Sequence, residues 1–572
     1  MRRLHHDTIR RAASMAMLFL AGWSAPGHSA PKPASSGPNG KPKISSAASN
    51  VNGTPKRTAG AAAQTGTDPS GAPVTMGALP FTLKFEEVTY TTAPLALHSY
   101  AFANPDGGKY LLVGGRAAPA GLHSFKNAPA NNFPSPNNTM IVFDPANGVV
   151  GTFDVSKLSW DFAKILQATN GQGYYDRSTD MFYLCGGYGM GNPDGSNYMT
   201  FGALLRFPAT KVIAAILQGQ TDAARAAAIQ PLIESVSDPS LAVTGGELFE
   251  MNGIFTLVFG QQATGMYDAF TGNFQQVYTC QARYFQINPN NFGQGLLNQG
   301  VSTTSNDYHR RDGNTVSTYD PNTGSPIIGA FGGVFPPGII GCYSKPVYLT
   351  VSTSSRTIKQ DAFSQKMSAY NCPTVVAYSA GQKAVYHTFF GGVSHYWLNQ
   401  TWLHGSTYQQ VTQAGRNDGM PFCEDISVLV RKAGGSYKEW IYPMPIAAVG
   451  YPPNAPQPPL PAGLPSVVSN LRGSSARFLP DPSLISSGKM DSEGVVLLDQ
   501  FQPNDSVVIG YTYGGIEAQN PLPQTPNTGT KCSNAVYKVT LVMQPADAVD
   551  VRYAHQATGT YNPAKPPAKP KK

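Results

Sequence analysis

Six times along this chain a short turn rich in Asn, Asp or Gly leads into an apolar run that ends in a glycine doublet or its remnant. The copies are KYLLVGG ending at Gly115, MFYLCGG at Gly187, IFTLVFG at Gly260, PIIGAFGG at Gly333, AVYHTFFGG at Gly392 and VVIGYTYGG at Gly515. Recurrence of this kind constrains the fold strongly, because each unit is a supersecondary element that buries its apolar faces against its neighbours. From Gly114 the intervals to Gly186, Gly260, Gly332, Gly391 and Gly514 are 72, 74, 72, 59 and 123 residues. The last interval holds either a long insertion or a degenerate extra unit.

Each unit reads as four short strands. In the fourth, NTVSTY, PIIGAFGG, KPVYLTVS and TIKQDAF are separated by turns such as DPNTGS and TSSR, the pattern of an antiparallel meander. Such a sheet is apolar on both faces and is stable only when stacked on others, which is the logic of a propeller. The sixth unit, read as GVVLLDQ, VVIGYTYGG and AVYKVTLVM, supplies only three strands. FTLKFEEVTY at residues 81–90 is the expected fourth, and pairing it there joins the two ends of the chain and removes an exposed edge.

Composition agrees with strands and turns: 28 Tyr, 27 Phe, 59 Gly and 48 Pro, with only 13% charged residues. One stretch departs from this. Residues 211–236 are Ala-rich and helical in pattern, with Thr221 as the N-cap before DAARAAAI, and are expected at or just after the fourth strand of the second unit, packed on the rim.

The apolar second strands ending in Gly114-Gly115, Gly186-Gly187, Gly332-Gly333, Gly391-Gly392 and Gly514-Gly515 resemble the kelch-type β-propeller family, a resemblance that covers about residues 80–545. The third unit departs from the pattern with Gly260-Gln261, and only Trp160 and Trp440 stand where kelch repeats usually place a Trp. The resemblance implies an all-β, kelch-like propeller of four-stranded antiparallel blades. Six blades fit best, and the 123-residue interval leaves room for a seventh.

Four segments follow. Arg2, Arg3, Arg10 and Arg11 precede an apolar stretch from Ala12 to Ala21, so residues 1–30 read as an export signal. Residues 31–78 form an Ala/Ser/Pro-rich leader expected to be disordered, residues 79–550 the propeller, and 551–572 a Pro/Lys-rich tail. The formal charge of +8 does not imply a nucleic-acid groove: residues 1–78 contribute +7 and the end after Tyr561 +4, leaving −3 on the body. A monomer, periplasmic or secreted, with no membrane span and no nucleic-acid partner is expected. Six cysteines in an exported chain permit disulfides, although Cys185 reads as a buried thiol inside a strand.

Loops between second and third strands, and between successive units, are the long ones and share one face, where binding residues concentrate on a rigid scaffold. The ligand-binding candidates there are Arg116, Tyr308, His395, Tyr396, Trp397 and Trp402: aromatics for stacking on a sugar face, polar groups for its hydroxyls. His309, Arg310, Arg311 and Glu247 are the catalytic candidates, with Asp312 and Glu493 as further carboxylates near the channel. Kelch-type propellers include copper radical oxidases resembling galactose oxidase, which need a cysteine-tyrosine crosslink, a second tyrosine and two histidines. The ten histidines here form no HxH or HExxH pair, so no metal and no cofactor is expected. The leading reading is an exported binding propeller that holds a glycan or a protein partner on its long-loop face. The alternative is a carbohydrate-active enzyme of epimerase, lyase or oxidase type, using the central channel.

Overall fold

The computed structural model describes residues 76–77, 79–117, 136–267, 274–338, 341–367, 370–394, 396–398, 408–410, 422–441, 471–518, 530–544 and 551–553. The chain divides into two compact units, Met1–Gln64 and Thr65–Lys572, and every described residue belongs to the second.

Strands dominate, and the described residues form six sheets of the repeating type. Their first strands are Ala101–Ala103, Gln172–Asp176, Glu247–Met251, Asn314–Asp320, Thr374–Ser379 and Arg477–Pro480. The fourth sheet runs antiparallel through Asn314–Asp320, Ser325–Phe331, Val347–Val351 and Arg356–Gln360. The sixth takes its last strand from the opposite end of the chain, because Phe81–Glu87 pairs along its whole length with Val536–Met543.

Each sheet is apolar on both faces, and each face is buried against a neighbour. Buried clusters join the first sheet to the second, the second to the third, the third to the fourth, the fourth to the fifth and the fifth to the sixth. A further cluster joins the sixth to the first, with Phe143 stacked on Tyr513 at 5.1 Å. Each large side chain buried this way contributes about 1.5–3 kcal/mol.

A ring of backbone hydrogen bonds runs through all six sheets. The amide of Ser99 donates to Ser475, Ser475 to Asn371, Asn371 to Asp312, Asp312 to Gly245, Gly245 to Asn170 and Asn170 back to Ser99, at 2.7–3.3 Å. Every member lies just before the first strand of its sheet. Five of the six have positive φ, from 50° to 68°, which Asn, Asp and Gly tolerate best.

The doublets tie neighbouring sheets together one step from this ring. The second residue of the doublet donates its amide to the next sheet: Gly115 to Ala168, Gly187 to Val243, Gly260 to Arg310 and Gly515 to Leu97, at 2.8–2.9 Å. At two of the doublets the first residue has no room for a side chain, since a Cβ at Gly186 or Gly514 would lie 2.1 Å from the carbonyl oxygen of Val243 or Leu97. This register corrects the reading of the third unit. Its doublet is Phe259-Gly260 rather than Gly260-Gln261: Phe259 has φ 58° and Gly260 85°, as the first and second glycines have elsewhere. Stacking of Phe259 on Tyr308 at 5.4 Å offsets a backbone cost of about 1–2 kcal/mol.

Two other expectations are corrected. The sixth sheet starts with Arg477–Pro480, not GVVLLDQ. Val496–Leu497 from that run instead pairs in parallel with Ala377 and Tyr378 of the fifth sheet. It belongs to an insertion from Asp481 to Asp505 that takes the place of the short turn found in the other sheets. The Ala-rich stretch forms two helices, Ala209–Gln218 and Asp222–Ile229, placed between the third and fourth strands of the second sheet, so that Glu234–Ser237 remains as the fourth strand. Thr221 caps the second helix, its hydroxyl accepting from the Ala224 amide. The first helix packs on the outer strand of the first sheet, where Gly151 leaves space for Ile216 and Leu217.

Candidate functional site

The doublets and the ring place the second-to-third loops and the links between sheets at the same end of the channel. There, the residue before each ring member faces the residue after the doublet of the same sheet. His98 pairs with Arg116, Thr169 with Tyr188 and Thr244 with Gln261. Arg311 accepts from the Val334 amide, and Ser474 pairs with Ile516. This tier brings Arg116 and Arg311, nearly 200 residues apart in sequence, to one end of the molecule.

At its centre Arg311 bonds Tyr278 through Nε at 3.1 Å and Asp312 through Nη1 at 3.2 Å, and its guanidinium lies 5.4 Å from the Phe335 ring. Asp312 is 5% exposed and also accepts from Tyr370 and Asn170. Burial pushes its carboxyl up, and Arg311 and the Tyr370 hydroxyl oppose that shift. His309 stacks on Tyr278 at 3.7 Å and its Nδ1 lies 2.9 Å from the Phe335 carbonyl. Burial lowers the His309 pKa, which favours the neutral imidazole at pH 7. Tyr267 feels the field of both Arg116 and Arg311. The result is a mouth of two arginines, one carboxylate and several tyrosines around the hydrogen-bonded ring.

The other sequence candidates separate. Tyr308 is buried against Phe259. Arg310 is 2% exposed and donates to the carbonyls of Asp307, Gly332 and Lys345 at 2.6–3.1 Å, so its guanidinium holds loops together and has no free donor fork for a ligand. Tyr396 and Trp397 lie on a short strand paired with Tyr408–Gln410, whereas His395 and Trp402 fall outside the described residues. Glu247 lies inside the channel with both Nη atoms of Arg477 3.4 Å from its Oε2. Glu493 sits not at the start of a first strand but on the inserted turn in the sixth sheet, against the far ends of the first strands.

Ser99, Asn170, Asn371 and Ser475 escaped the sequence reading. Their signal is a small polar residue or glycine just before each first strand, where all but Asn371 take a positive φ. Among the described residues no group of three or more His, Cys, Asp or Glu side chains is placed to hold a metal ion. No helix among them is long and apolar enough to cross a membrane.

No family model matches the chain, and no curated protein matches it. One solved structure similar to it is that of YjhT, which aligns over 62% of this chain and 96% of that chain at 10% identity, with a TM-score of 0.32.

Proposed function

We propose that this chain is an exported, six-bladed kelch-like propeller that binds a carbohydrate at the loop-bearing end of its channel, with acidic sugars preferred. The blade reading is supported by the six sheets, the shared sixth sheet and the closed hydrogen-bond ring. The ligand reading is carried by one observation: Arg311, Asp312, Tyr278, His309 and Tyr370 gather beside that ring. The stacked Tyr278 and His309 rings suit the C–H face of a sugar, and tyrosine and amide groups suit its hydroxyls. With Nε on Tyr278 and Nη1 on Asp312, the Nη2 end of the Arg311 guanidinium is the part that suits a ligand carboxylate, in a planar geometry that a lysine does not reproduce.

The test is titration of the full chain with a panel of neutral and acidic glycans, repeated on Arg311→Lys. This variant keeps a positive charge beside Asp312 and so avoids the cost of about 3–5 kcal/mol expected for a buried charge left alone. A saturable acidic glycan that loses about tenfold or more in affinity, about 1.4 kcal/mol, supports the site. Unchanged affinity in the variant, or silence across the panel, contradicts it.

A further inference from the structure

The channel has a second chemical environment below the ring, reaching to the end away from the loops. Residues of all six first strands surround a cavity of ≈ 200 Å³, and the inserted turn Ser492–Val495 lies against it. That turn is firmly held. The Asp491 carboxylate accepts from the Tyr319 hydroxyl at 2.8 Å and from the amides of Glu493 and Val495 at 3.0 and 2.8 Å. Asp499 anchors the same insertion to the fifth sheet through Ser379 and the amides of Ala380 and Gly381. The insertion therefore presents Glu493 to the cavity from a fixed support.

Donors near Glu493 do not match its acceptors. The Tyr174 hydroxyl has one proton, yet both Glu493 Oε1, at 3.4 Å, and Glu250 Oε2, at 3.5 Å, stand within reach of it. Ser317 offers one more, to Glu493 Oε2 at 3.5 Å. Arg477 is engaged by Glu247 and the Tyr100 carbonyl, each at 3.4 Å. Among the described residues no lysine or arginine forms an ion pair with Glu250, Asp491 or Glu493. All these contacts sit at the outer limit of hydrogen bonding, whereas Arg310, which serves structure, makes bonds as short as 2.6 Å.

We propose that this cavity is a second binding site, for a small hydroxylated primary amine. An ammonium group brings three donors and a positive charge to the Glu493 carboxylate, and Glu250, behind the Tyr174 hydroxyl, adds to the negative field there. Thr315, Ser317 and the Glu247–Arg477 pair serve hydroxyls, and the Tyr174 and Phe478 rings flank the carbon skeleton. Burial and the neighbouring Asp491 and Glu250 push the Glu493 carboxyl up to about 7, so the anion that recognises the amine forms fully only above neutrality.

The probe is glucamine, titrated calorimetrically into the full chain at pH 8, with sorbitol as the uncharged counterpart. The site predicts saturable glucamine binding, sorbitol at least about tenfold weaker, and a glucamine affinity that falls as pH is lowered from 8 to 6. Glu493→Gln should lose most of that affinity and its pH dependence, whereas Glu493→Asp should keep both. Arg311→Lys, at the other end of the channel, should bind glucamine normally, which separates this site from the glycan site. Equal binding of glucamine and sorbitol, no saturable binding, or full affinity in a folded Glu493→Gln variant would overturn the proposal.

Discussion

Gly514→Ala should destabilise the protein by about 4 kcal/mol or more, a cost reached only by a few mechanisms, severe steric conflict among them. Two terms add. The residue has φ 71°, which costs a non-glycine about 1–2 kcal/mol. The new Cβ would also lie 2.1 Å from the Leu97 carbonyl oxygen, and that carbonyl cannot retreat, because it accepts from the Gly515 amide at 2.8 Å. Gly488→Ala separates the terms, since Gly488 has φ 72° but nothing within 4 Å of its Cβ position. Thermal melts should show a loss of about 10 °C for Gly514→Ala and of only a few degrees for Gly488→Ala. Equal shifts would mean that backbone conformation alone explains the doublets and that the sheet-to-sheet contact does not.

The second large effect concerns residues 79–87. Leu79, Phe81, Leu83 and Phe85 are each 7% exposed or less and pack between the fifth and sixth sheets. Without them the Val536–Met543 strand becomes an open edge and a face of the fifth sheet meets water. Phe81→Ala should cost about 3–5 kcal/mol. A chain lacking 79–87 should lose its single cooperative melt and aggregate through the open edge. A synthetic peptide of residues 76–88 added in trans should restore part of the stability by strand addition. A truncated chain that melts within about 2 °C of full length would show that this strand is not needed to join the ends.

Much of this architecture was legible because strands and turns leave local signals. Apolar runs between Asn, Asp and Gly turns located the second strands, and an unpartnered 81–90 segment pointed to the sixth sheet. Thr221 marked a helix start because its hydroxyl caps a local amide. The errors fell where a distant contact decides. Phe259 takes a glycine's place because Tyr308 stacks on it. GVVLLDQ has the pattern of a first strand, but Arg477–Pro480 occupies that position and the run pairs with a neighbouring sheet instead. At the candidate site His309, Arg310, Arg311 and Asp312 were visible as candidates, but their division of labour was not. Arg310 and Arg311 are adjacent, and only the fold turns one toward three backbone carbonyls and the other toward Asp312 and Tyr278.

Both proposed sites depend on the six sheets being held together in register, and the ring of amides is where that arrangement is tested most directly. Amide hydrogen exchange of Ser99, Asn170, Gly245, Asp312, Asn371 and Ser475 should be slow and should share one opening free energy, that of global unfolding, although all six precede strands and would exchange quickly as ordinary loop residues. Independent exchange of these amides at loop rates would contradict the closed ring and, with it, the support on which both sites are built.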